Sequence, residues 1–218
     1  MIIKRLELPV KFKRFYKLFK DKNFKLLDVG CGNHSPTITK KYFPNCEYYG
    51  IDKELYNLDA YDLMQMKEFY HFELTPTNLK KIPDNFFDVI IMNHILEHLT
   101  NGLEILSIIT QKLKEGGYIY IEYPSVKSLN LPSLKGTLHF SDDETHIRLY
   151  NLVDIANTLL AKNLKIIKAG TRRDKIGIAL FPIIIIVKLL RKEVLAGQGI
   201  WDVLGFAEFL WAQKKFNS

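Results

Sequence analysis

The sequence predicts an α/β fold built on a mostly parallel sheet, and three observations carry that prediction. Short apolar runs alternate with helical segments along the chain. A glycine-spaced turn, Gly30-Cys31-Gly32, follows the first apolar run Leu26-Leu27-Asp28-Val29. An acid, Asp52, closes the second run about twenty residues later, the spacing of a cofactor-binding βα unit.

The first strand is expected over 25–29. Gly30 and Gly32 lack a Cβ, so the backbone there can run against a ligand at the strand's carboxyl end. The second strand, 48–51, presents Asp52, whose carboxylate can accept both hydroxyls of a ribose. A dinucleotide fingerprint would put a third glycine at the sixth position. Ser35 stands there, followed by Pro36, which suits a helix capped by the serine with proline in its first turn. Further strands are expected over 69–72, 87–93 and 118–122. Between the last two, 102–114 places Leu103, Leu106, Ile109, Thr110 and Leu113 on one helical face. Asn151 can cap a helix running through Ala161, a sixth strand fits 164–169, and Phe209-Leu210-Trp211-Ala212 reads as a returning strand.

Two segments stand apart from this alternation. Residues 1–23 form a basic amphipathic stretch, with Lys4, Arg5, Lys11, Lys13, Arg14, Lys17, Lys20 and Lys22 interleaved with Phe12, Phe15, Tyr16, Leu18 and Phe19. It can meet anionic lipid or nucleic acid, or lie solvated on the sheet. Residues 24–218 are the main domain, interrupted at about 175–206 by an apolar insertion containing Pro182 and the run Ile183 to Val187, then Lys188, Arg191 and Lys192. The apolar part is too short to span a ~30 Å hydrocarbon core. A buried helix, a homodimer contact and a wall for a lipid-tailed substrate remain open for it.

In this order the motifs resemble those of the class I S-adenosylmethionine-dependent methyltransferases, of the bacterial small-molecule type, over roughly residues 24 to 170. The glycine turn and Asp52 are followed by Phe72-Glu73-Leu74, similar to the end of that family's third strand. Residues 84–99, Asp84-Asn85-Phe86-Phe87-Asp88 through Leu96-Glu97-His98-Leu99, resemble its fourth strand and the helix after it, and Leu113-Lys114-Glu115-Gly116-Gly117 resembles the turn opening its fifth. The resemblance implies a Rossmann-like α/β/α sandwich whose seven-stranded sheet ends in an antiparallel strand. It implies S-adenosylmethionine as cofactor, held by Asp28, Gly30, Cys31, Gly32, Asp52, Glu73, Leu74, Asn93 and His94. Two positions depart from the family pattern: His34 replaces a third glycine, and Glu73 replaces an aspartate beside the adenine.

The implied chemistry is transfer of a sulfonium methyl to a substrate lone pair, with removal of a proton when the nucleophile is a hydroxyl. A base is expected after the fifth strand, where 137–150 gathers His139, Asp142, Asp143, Glu144, His146 and Arg148 and resembles a D-x-T-H-x-R-x-Y stretch of small-molecule methyltransferases. His146 is the candidate base, with a structural tie as the alternative, and His139 is the reserve. Arg148 can hold a substrate anion or pair with Asp142 or Asp143. Two acids and a histidine in one loop are a poor warrant for a metal, and none is expected.

Asn93-His94-Ile95-Leu96 is unlike the Asn-Pro-Pro-Tyr stretch of adenine or glutamine methylation, and no Pro-Cys dipeptide offers the nucleophile of cytosine methylation. The absence of a zinc motif, repeat or aromatic RNA module argues against nucleic acid. What remains is O-methylation, or in second place N- or C-methylation, of a small or lipid-linked metabolite such as a sugar or quinone-like ring. An RNA-modifying methyltransferase and a catalytically silent cofactor-binding protein stand as alternatives. At 218 residues with 47% hydrophobic composition, the chain suits one well-buried domain. Cys31 and Cys46 lack metal spacing and no secretory leader is read at Met1, so a cytoplasmic protein is expected. Its net charge of +7 favours acidic partners, including the inner membrane face.

Overall fold

The computed structural model describes residues 8–133, 138–190 and 198–216. Lys4, Arg5, Thr137, Arg191 and Lys192, which figured in the expectations above, lie outside the described residues. The sheet has seven strands: β1 (Phe24–Val29), β2 (Cys46–Asp52), β3 (Met66–His71), β4 (Phe87–Asn93), β5 (Leu113–Pro124), β6 (Leu164–Thr171) and β7 (Ala207–Lys214). Their spatial order is β3-β2-β1-β4-β5-β7-β6. β1 to β5 run parallel, and β7 is antiparallel to both β5 and β6.

The helices are α1 (Tyr16–Phe19), α2 (Ser35–Tyr42), α3 (Ala60–Gln65), α4 (Pro76–Leu79), α5 (Gly102–Lys112), α6 (Leu152–Ala161), α7 (Lys175–Leu190) and α8 (Gln198–Leu204). Successive strand residues point to opposite faces, so each central strand feeds two cores. In β4, Ile90 and Met92 join Ile105, Leu106, Ile109, Ile155 and Leu159 beneath α5 and α6. Val89 and Ile91 face the other side, with Phe12, Phe15, Phe43, Tyr48 and Trp211. The aromatic half of the N-terminal stretch therefore lies on the sheet: Phe15 stacks on Phe43 at 5.1 Å and on Trp211 at 5.9 Å.

Several boundaries differ from the expectation. β5 starts at Leu113, which ends the helical face at Lys112, because Leu113 pairs with Phe87 across a register shift beside Gly116 (φ 74°). β3 starts at Met66 and stops at His71, so Glu73 and Leu74 fall in the following turn. The cap of α2 is His34, not Ser35; Ser35 is the first helical residue and spends its hydroxyl on Asp28. Asn151 does cap α6, accepting from Asp154 N at 2.9 Å. The segment between β6 and β7 is helical where described, as α7 and α8. Among the described residues, no helix is long and apolar enough to cross a membrane.

Candidate active site

The strand order reverses at β1, with β2 on one side and β4 on the other, which opens a crevice at the carboxyl ends of these strands. The Gly30–His34 loop lies there. Gly30 adopts φ 79°, and the amides of Gly30 and Cys31 donate to Ile51 O at 2.8 and 3.2 Å. A Cβ on Gly32 would stand 2.7 Å from the Tyr56 carbonyl oxygen, so only glycine keeps this close approach.

His34 sits in the left-handed region at φ 54°, the conformation for which glycine is the usual choice. Its imidazole turns away to Asp62 at the start of α3, Nδ1 to Oδ2 2.6 Å, and Thr37 Oγ1 donates to the same carboxylate at 2.6 Å. Burial alone would raise the Asp62 pKa, but these partners hold it below the usual range.

Asp52, the last residue of β2, accepts from Gly32 N at 3.2 Å and from Glu54 N at 3.3 Å. Burial outweighs those bonds and raises its carboxyl above the ordinary value. Asp28 is buried, and its Oδ2 accepts from the hydroxyls of Ser35 at 2.5 Å and Tyr48 at 2.7 Å. Its Oδ1, like Asn93 Oδ1 at the end of β4, is a buried acceptor without a hydrogen-bond partner among the described residues. Cys31 is buried, and burial pushes its thiol far up. Glu73 is exposed, and Leu74 packs against the α5 side of the core.

Beside the glycine loop, the exits of β4 and β5 hold a cluster of charges of which the sequence reading had singled out only His94 as a site residue. His94 (φ 55°) lies between Glu97, at 3.0 Å from Nδ1, and Glu122, at 3.3 Å from Nε2. Burial would lower its pKa, but both carboxylates overcome this and push it up to about 9, so it is an imidazolium at neutral pH. Glu122 also accepts from Tyr120 OH and, at 3.1 Å, from Arg172, whose Nε lies 3.0 Å from Asp202 of α8. Trp201 of α8 covers His94 at a ring distance of 5.3 Å. The insertion therefore borders the crevice. Arg172 and Trp201 carried no motif; the apolar insertion was the only hint of them.

Of the two histidines read as bases, His139 has both ring nitrogens engaged by its own loop: Nδ1 accepts from Ser141 N and Nε2 donates to Leu129 O at 3.0 Å. His146 differs. Its Nδ1 meets Phe140 O at 2.7 Å, while Nε2 lies 3.7 Å from Asp143 and 3.9 Å from Glu97. Arg148 turns to neither Asp142 nor Asp143 but donates to Thr100 O at 2.6 Å, and the Ile147 and Arg148 amides donate to Glu97 O.

Comparison with known proteins bears on the family and the fold. A methyltransferase of Schizosaccharomyces pombe, itself uncharacterised, is 30% identical over 108 residues, which cover 45% of this chain and 39% of that protein. The chain thus spans well under half the length of that relative. Among solved structures, a SAM dependent methyltransferase from Archaeoglobus fulgidus aligns over 94% of this chain and 91% of its own, with TM-score 0.58 and 21% identity. The plantazolicin methyltransferase BpumL, solved in complex with SAH, aligns over 95% and 82%, with TM-score 0.60 and 18% identity. At those identities the likeness is one of fold. The family profile described as a methyltransferase domain matches residues 5–169, most of the chain, and the chain belongs to that family.

Proposed function

We propose that this protein is an S-adenosylmethionine-dependent methyltransferase that O-methylates a small or lipid-linked metabolite. The observation that carries the reading is Asp52, half-buried at the end of β2 and facing the Gly30–Gly32 backbone across the switch point. A ribose offering two hydroxyls matches that carboxylate, and the unpartnered acceptors of Asp28 and Asn93 suit a ligand rich in donors. Gly30, Cys31 and Gly32 would contribute the backbone wall, and Glu73 and Leu74 the adenine side. Bound there, the cofactor supplies an electrophilic methyl group.

The chain's own residues then orient and deprotonate the acceptor. His94, held as a cation by two carboxylates, is a poor base but fixes the β4 exit. His146 keeps a ring nitrogen facing Glu97 and Asp143, which suits proton removal. Trp201 and Phe206, stacked at 4.6 Å, form an aromatic wall that limits water. Lipid linkage is supported by α7, where Ile183 is 60% and Leu190 is 80% exposed.

Incubating purified protein and isotopically methyl-labelled S-adenosylmethionine with a fractionated cell extract tests the assignment by mass spectrometry. Label in a small-molecule or lipid fraction supports it. Label in RNA, or cofactor binding without transfer to any fraction, contradicts it.

A further inference from the structure

We propose that Glu97, His98 and His146 form a binding site for a divalent transition-metal ion, with zinc the occupant their donor set fits best. Two distant stretches meet here, joined by the Ile147 and Arg148 amides donating to Glu97 O at 2.9 and 3.2 Å. One ligand atom from each of the three side chains lies within 4.8 Å of the others.

Both imidazoles are held in the form a metal needs. His146 Nδ1 faces Phe140 O at 2.7 Å and His98 Nδ1 faces Thr145 O at 3.1 Å. A carbonyl oxygen only accepts, so each Nδ1 donates and Nε2 is the ring nitrogen left to meet a metal. For His98 the assignment is fixed twice: Thr145 Oγ1, 2.9 Å away, spends its own proton on Asp143 and can only accept. Glu97 is 1% exposed, and its Oε2 has no hydrogen-bond partner among the described residues. The Glu97 oxygen near His146 is Oε1, 3.9 Å from Nε2; it accepts from His94 Nδ1 and keeps a second lone pair for a cation. His94, on Glu97 Oε1, acts as the outer contact that fixes the carboxylate.

Two nitrogens and one carboxylate oxygen form the donor set of an open zinc site, whereas magnesium and calcium select oxygen donors alone. Bonds of about 2.0–2.2 Å place tetrahedral ligands roughly 3.4 Å apart. The 3.9 Å from Glu97 Oε1 to His146 Nε2 therefore needs only a small closure. A ligated His146 cannot also be a free base; the metal would then lower the pKa of a bound hydroxyl in its place.

The test is calorimetric titration of chelator-treated full-length protein with zinc sulfate, with magnesium chloride as the comparison. The expected result is one zinc per chain, no measurable magnesium binding, and affinity reduced at least about tenfold in Glu97→Gln and His98→Ala but not in His71→Ala. Absent zinc binding, or equal affinity in all variants, overturns the proposal and leaves the cluster as a loop tie. Should those variants fail to fold, cobalt added to the unaltered protein decides. A nitrogen/oxygen-ligated cobalt spectrum supports the site, and thiolate charge transfer or no visible band overturns it. S-adenosylhomocysteine binding, measured on the same samples, reports on the methyltransferase reading separately.

Discussion

Asp52 carries two opposed demands. Burial raises its pKa, so the folded state holds this proton more tightly than the unfolded chain, and the group's contribution to stability is lost as pH rises through that raised value. Ribose binding needs the ionised form. Asp52→Asn is therefore expected to melt at a higher temperature than the parent at neutral pH, in a calorimetric scan. Asp52→Ala is expected to weaken S-adenosylhomocysteine by about ten- to a hundredfold, roughly 1.5 to 3 kcal/mol. The parent's affinity should fall as pH drops towards the raised Asp52 pKa, and that fall should vanish in Asp52→Asn. His146→Ala is expected to lower turnover about 10²- to 10⁴-fold with cofactor affinity unchanged, measured once the acceptor is identified. At this scale the glycine loop and Asp52 were legible because their chemistry is local in sequence. Glu122 and Arg172 were not, since a buried charge 50 positions from its partner has no sequence signature.

At the scale of elements, legibility followed apolar continuity. β4, apolar and central, was read with its observed limits. β3 is an edge strand with exposed Lys67 and Glu68, so its start had no apolar pattern to announce it. The start of β5 was hidden by the glycine-marked register shift. α7 was legible as an oddity, and it leaves Ile176, Leu180, Ile183, Ile186, Leu189 and Leu190 exposed. A fully exposed side chain of this kind gains about 1.5 to 3 kcal/mol on full burial and these would gain a part of it, so a cover is expected. We take an anionic lipid surface as that cover. Sedimentation with vesicles containing acidic lipid should retain the protein, and replacing the exposed Ile183, Ile186 and Leu189 by serine should release it while S-adenosylhomocysteine still binds. Equal sedimentation of both proteins would contradict the lipid reading.

Across the whole molecule, one buried ion network ties the β5 exit, the end of β6 and the insertion: Glu122, Arg172 and Asp202, with side-chain exposures of 2%, 3% and 3%. Removing one member strands the others in a low-dielectric interior. Arg172→Ala is expected to cost about 3 to 5 kcal/mol in urea unfolding. The same topology that brings this network to the crevice puts the glycine loop and Asp52 at the sheet's reversal, where the cofactor is expected to bind. Titration calorimetry of the unaltered protein with S-adenosylhomocysteine, beside NAD, tests that most directly. A single S-adenosylhomocysteine site per chain and no NAD binding is the expected result; no detectable S-adenosylhomocysteine binding, or tighter binding of NAD, would contradict the account.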